Sequence, residues 1–165
     1  MLTAHVCGRA LLTSAAASII ILLSTMFAPS AALAHDRQAT CLATAIYFEA
    51  RGESERGQRA VADVVLARVR SPGWPKTICG VVYQGADHRG ACQFSFACDG
   101  RAEHAHGEAW DTAKDIAAEA LDTHGGKAKF RNATYFHTTG VRPSWSRRMV
   151  RVARIGAHIF YRPRA

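Results

Sequence analysis

The N-terminus limits the fold more than any other part of the chain. After Arg9 an uncharged run rich in Leu, Ile and Ala extends from Ala10 to Phe27, then passes Pro29 into the small-residue sequence Ala32-Leu33-Ala34. A positive start, an apolar stretch and a small-residue site are the parts of a secretory signal peptide. Cleavage is therefore expected after Ala34, with residues 1–34 as leader and 35–165 as the working domain. The other reading of the run is an uncleaved membrane anchor. Cys7 precedes the run, where a lipid-bearing cysteine would not stand. The remaining 131 residues carry +7 of the +8 formal charge, since Arg9 is the one charged side chain in the leader. That length supports one modest core. No repeat or low-complexity segment recurs, which excludes solenoids, propellers and coiled coils.

Export also sets the redox state. Cys41, Cys79, Cys92 and Cys98 remain after cleavage, an even number in an oxidising compartment, and two disulfides are expected among three possible connectivities. Cys92–Cys98, closing a short loop, is favoured, together with Cys41–Cys79, tying the first helix to the segment after Trp74. Zinc is the rival use of these cysteines. There is no C-x-x-C, and His104 and His106, two apart, point to different faces of a helix. No metal and no cofactor is expected.

Hydrophobic spacing gives the elements. Asp36 is a candidate cap for a first helix from about Arg37 to Ala50, with Cys41, Leu42, Ala45, Ile46 and Glu49 on one face. Gly52 interrupts it. A second helix runs from about Ser54 to Arg70, with Val61, Val64, Val65 and Val69 inward and Pro72 as its stop. Ile78, Val81 and Val82 suit a further turn or two. Gln84 to Arg101 is loop-like, with Gly85, Gly90 and Gly100. A long helix from about Glu103 to Asp122 buries Trp110, Ala113, Ala117, Ala120 and Leu121 and ends at Gly125-Gly126. Ala133-Thr134-Tyr135-Phe136-His137 and Ile155 to Tyr161 each read as one short strand. The fold class is α+β, mostly helical with a short antiparallel strand element.

Glu49 stands apart chemically. At the C-terminal end of the first helix it shares the inward face of Ala45 and Ile46, where desolvation favours the acid form and the helix dipole pushes the same way. Such a carboxyl is a candidate general acid. A surface glutamate paired with Arg51 or Arg59 is the plainer alternative.

The sequence Ala45-Ile46-Tyr47-Phe48-Glu49-Ala50-Arg51-Gly52-Glu53, followed by Gly57-Gln58 and Ala60-Val61-Ala62, resembles the opening of the SleB/CwlJ-type cell-wall hydrolases. Trp74-Pro75-Lys76-Thr77, Gly80 to Gln84 and Cys92-Gln93-Phe94-Ser95-Phe96 resemble the family's second block. Ala133 to His137 with Pro143-Ser144-Trp145 resembles its third. Three blocks in order, from Cys41 to Tyr161, make the resemblance specific. It implies a lysozyme-like domain that cleaves peptidoglycan glycan strands with Glu49 as the catalytic glutamate, and it also matches Glu53 as an auxiliary residue. The cysteines are not general in the family. The peptidoglycan-binding repeat of spore-cortex members is not found here, so a germination role is not carried over; a Gram-negative periplasm suits the disulfides.

The chemistry expected of such a site is proton delivery to the bond between N-acetylmuramic acid and N-acetylglucosamine. Asp87 and Asp99 are the acids of the loop region and nothing aims either at a sugar. A single glutamate acting as acid and then base, as in a lytic transglycosylase, is therefore expected, with hydrolysis as the other outcome of the same acid, and Gly52 turns Glu53 away toward a structural role. Gln93, Ser95, Tyr135, His137 and Trp145 are candidate substrate contacts, each with a plainer reading as a turn or core residue. Arg142, Arg147, Arg148, Arg151 and Arg154 make a solvated positive face that can also hold anionic wall polymer or muropeptide carboxylates. The expected partner is peptidoglycan. Nucleic acid is not expected in an exported chain without a recognised motif, membrane contact would come only through an uncleaved anchor, and a monomer is expected. A stem-peptide amidase and a non-catalytic peptidoglycan-binding module are the alternatives.

Overall fold

The computed structural model describes residues 28–88, 91–99, 104–123, 130 and 132–164. Cys7, the apolar run Ala10–Phe27, Gly90, Gly100, Arg101, Glu103 and Gly125-Gly126 lie outside the described residues. A compact unit begins at Asp36 and extends to Ala165, and the residues before it form a separate one.

Helix α1, Ala28–Ala50, is continuous through Asp36. The expected start near Arg37 is thus corrected, and Asp36 is no cap. Ala28, Ala31, Ala32, Leu33 and Ala34 favour helix in this stretch, and Pro29 falls in the first turn, where no backbone N–H is needed. Helix α2, Glu55–Arg70, follows with Ser54 at its N-cap position, the Ser54 carbonyl accepting from Gly57 N and Gln58 N at 2.8 and 3.0 Å. Val61, Val64 and Val65 are fully buried. Helix α3, Ile78–Val82, is capped twice: Thr77 Oγ1 accepts from Gly80 N at 3.0 Å, and Gln38 of α1 accepts from Ile78 N at 2.7 Å. Cys41 and Cys79 are bridged beside it, with Cα atoms 5.2 Å apart, and Cys92 is bridged to Cys98. This is the pairing favoured from the sequence.

Helix α4, Gly107–Asp122, starts four residues later than the periodicity indicates, with His104 to His106 ahead of it. Gly107 has φ +72, so the chain turns there instead of continuing a helix from Glu103. Ala113, Ile116 and Ala117 are buried, and Trp110 meets the Tyr47 ring edge-on at 5.9 Å.

Three strands make one antiparallel sheet in the order β1-β3-β2: β1 Tyr135–Thr138, β2 Val150–Ile155 and β3 His158–Arg162. The expected single strand from Ile155 to Tyr161 is corrected to the end of one strand, a turn at Gly156-Ala157 and a second strand. Gly156 has φ +52, a left-handed turn conformation that divides the apolar run. Residues directly opposite in antiparallel strands share a face. Phe136, Phe160 and Ala153 are opposite one another and face the core, where Phe160 is fully buried with its ring 5.9 Å from Phe130 and 5.8 Å from Phe136. The other face carries Tyr135, Tyr161 and Arg151 in one row and His137, Ile159 and Arg154 in the next. A bulge between Arg151 and Ala153 puts both arginines, three apart in sequence, on that same face.

Candidate active site

Glu49 stands in the last turn of α1, and Phe48 beside it stacks on Phe96 of the Cys92–Cys98 loop at 4.9 Å. Burial raises the Glu49 pKa above its usual value, and the positive charge of Arg68 partly opposes that rise. The outcome is a carboxyl that holds its proton to higher pH than a free glutamate, with a cation near enough to stabilise the ion once the proton leaves.

Arg68 is the residue that the sequence reading missed. Its position in α2 is three, four and seven residues from Val65, Val64 and Val61, so it lies on the helix's apolar stripe and is only 2% exposed. Nε donates to the Thr134 carbonyl at 2.8 Å. The guanidinium lies over Trp74 at 4.4 Å and over Phe94 at 5.2 Å. Burial pushes its pKa down to about 10, against the opposing pull of Tyr135 and Glu49, so it stays charged at neutral pH. Nη1 is buried without a hydrogen-bond partner. An arginine inside a valine stripe was the available signal.

From Arg68 a row of half-buried rings continues outward. Trp74 contacts Tyr135 at 5.8 Å, Tyr135 contacts Trp145 at 5.5 Å, and Trp145 meets His137 and Tyr161 edge-on at 5.5 Å each. Three of the expected contact residues, Tyr135, His137 and Trp145, are thus gathered. His137 is buried and committed on both nitrogens: Nδ1 donates to the Thr138 carbonyl at 2.8 Å, which leaves Nε2 to accept from the Tyr161 hydroxyl at 3.0 Å. Gln93 and Ser95 are exposed on either side of Phe94, which is buried beneath Arg68.

Glu53 is directed elsewhere. Helix α1 ends at Ala50, the Glu53 amide donates back to the Ala50 carbonyl at 2.9 Å, and the Glu53 carboxylate accepts from Ala157 N at 3.1 Å in the β2–β3 turn. His158 Nδ1 stands 3.6 Å from the same carboxylate. A Cβ on Gly156 would run into the Glu53 carboxylate, so glycine is required there by contact as well as by its turn. Among the described residues no three His, Cys, Asp or Glu side chains converge as a metal site would require.

Residues 52–161 match the family model described as Cell Wall Hydrolase. The chain belongs to the cell wall hydrolase family. The match begins three residues after Glu49. The spore cortex-lytic enzyme of Halalkalibacterium halodurans is 34% identical over 128 residues, 76% of this chain and 34% of that protein; that of Bacillus subtilis is 32% identical over 119 residues, 72% and 35%. The chain spans about a third of the length of these curated relatives. Among solved structures, the catalytic domain of Bacillus cereus SleB gives a TM-score of 0.60 at 31% identity, covering 77% of this chain and 91% of that one. The catalytic domain of the germination-specific lytic transglycosylase SleB from Bacillus anthracis gives 0.61 at 32%, covering 76% and 93%. The mostly helical α+β class with its small antiparallel sheet is shared with these domains.

Proposed function

We propose that the protein cleaves the glycan strands of peptidoglycan between N-acetylmuramic acid and N-acetylglucosamine, as a lytic transglycosylase with Glu49 as its one catalytic carboxyl. The observation that carries this reading is the place of Glu49 in the last turn of α1, half-buried next to the Phe48–Phe96 stack, where burial holds its proton and the charge of Arg68 opposes that shift. Protonated Glu49 gives its proton to the leaving glycosidic oxygen. The resulting carboxylate is stabilised by Arg68, and the substrate's N-acetyl group assists at the anomeric carbon. Glu49 then takes the proton of the muramic C6 hydroxyl, whose oxygen closes a 1,6-anhydro ring. No water is consumed. The likeness to the Bacillus anthracis lytic transglycosylase domain supports this route over hydrolysis. So does the placement of Glu53, whose carboxylate is engaged by the backbone of the β2–β3 turn.

Residues 1–34 act as an export leader in this reading, and the two bridges suit the oxidising periplasm of a Gram-negative cell. Gln93 and Ser95 on the loop, and Tyr135, His137 and Trp145 along the ring row, line the path of the glycan.

Digestion of purified peptidoglycan, followed by chromatography and mass spectrometry, tests the reaction. Anhydro muropeptides, lighter by one water than hydrolysed ones and resistant to borohydride, are the expected major products. Reducing muramic ends would make the protein a lysozyme-type hydrolase, free stem peptides would make it an amidase, and intact glycan with bound protein would make it a binding module.

A further inference from the structure

The outer face of the sheet floors a cavity of about 600 Å³, roofed by the segment from Thr139 to Arg147. Four arginines line it, Arg142 and Arg147 from the roof and Arg151 and Arg154 from β2, with His137 and no carboxylate. Each of the four is exposed, and among the described residues none is ion-paired with an acid. Like charges gathered in a concavity repel one another and raise the local concentration of anions. The bulge in β2 sharpens the point: a regular strand would send Arg151 and Arg154 to opposite faces, and the extra residue brings both into the pocket. The pocket also joins the candidate active site, since the row Trp74, Tyr135, Trp145 runs from Arg68 to its His137 and Tyr161 walls.

We infer that this pocket binds the free carboxylates of the peptide stems carried by the glycan, so that the protein selects peptide-bearing strands over bare ones. The inference rests on the glycan-cleaving reading for its substrate. A glycan that runs from Glu49 along the ring row brings the peptide arms it carries to the pocket, and guanidinium forks take carboxylates in paired, charge-assisted hydrogen bonds. Size agrees, because a cavity of this volume accepts a short peptide segment rather than a single small ion.

The test is calorimetric titration of the protein with an N-acetylated stem tetrapeptide bearing free carboxylates, and with the same peptide fully amidated. Neither carries a sugar, so binding is independent of Glu49 and of whether glycan is cleaved, and failure of one reading is distinguishable from failure of the other. The free carboxylate form should bind at least tenfold more tightly than the amide, with affinity falling as salt rises. Arg151→Gln with Arg154→Gln should weaken it at least tenfold while leaving thermal stability unchanged; Arg142→Gln with Arg147→Gln provides a second pair from the roof. Equal binding of the two peptides, unchanged affinity in both double variants, or inorganic phosphate binding as tightly as the peptide would overturn the inference.

Discussion

Glu49 and Arg68 act on each other through charge, and each makes a distinct prediction. Burial raises the Glu49 pKa in the fold above its unfolded value of 4.5, so the fold holds that proton more tightly than the open chain. The stability this provides is full below pH 4.5 and is lost as pH rises through the folded pKa. Glu49→Gln should therefore abolish anhydro-muropeptide release yet be at least as stable as the native protein at pH 7. That stability advantage should vanish in melts near pH 4. Arg68→Met should cost about 2–3 kcal/mol through the lost charged hydrogen bond to Thr134 and the ring contacts. It should also move the alkaline limb of the activity profile upward, because the charge that opposes the Glu49 shift is gone. Arg68→Lys keeps the charge, so the limb should stay near its native position while urea unfolding still shows a loss. Glu49 was legible from its inward helical face. Arg68 was not read because an arginine near a helix C-terminus has a ready explanation in the dipole, although the same spacing rule that found the valines includes it.

Periodicity revealed the helices because each buries one stripe; α2 falls within a residue of its expected bounds, and α3 forms where Ile78, Val81 and Val82 suited a further turn or two. The strands were harder. β2 is arginine-rich with one wet face and a bulge that breaks its alternation, so its sequence reads as a solvated run, and the hairpin was hidden by the apolar residues on both sides of Gly156. That turn is the joint between Glu53 and the sheet. Gly156→Ala would place a side chain at φ +52 against the Glu53 carboxylate, and urea unfolding should show a loss of about 2 kcal/mol or more. Beside it, buried His158 has its pKa lowered by desolvation, with Glu53 pulling the other way. The unfolded chain takes its proton near pH 6.5 while the fold resists until lower pH. The contribution of His158 to stability should thus be full above about pH 6.5 and decline as pH falls, a decline that His158→Gln should flatten in chemical unfolding at graded pH.

For the domain from Asp36 onward, the class, the two bridges and the family blocks were all legible in the chain, since composition, cysteine number and motif order act over its full length. The meeting of Arg68 with Thr134 and of Glu53 with Ala157, 66 and 104 residues apart, was not, because no local rule spans such distances. The bridges can be weighed at this scale. On the loop-closure model, Cys41→Ser with Cys79→Ser should cost about 4 kcal/mol and Cys92→Ser with Cys98→Ser about 2 kcal/mol, reflecting separations of 38 and 6 residues. Thermal melts of the two variants test the order, and peptide mapping of mature native material should find no free thiol among the four. The strand order has a consequence of timing. β3, synthesised last of the three strands, is the middle one, so β1 and β2 have no partner until it emerges. Under the export reading proposed above, a chain crossing a membrane N-terminus first arrives with its helices and the Cys41–Cys79 pair ready to close, while the sheet waits for the strand that begins at His158. On that reading the sheet side of the candidate site is completed last, so the proposed cleavage waits until the final strand has crossed.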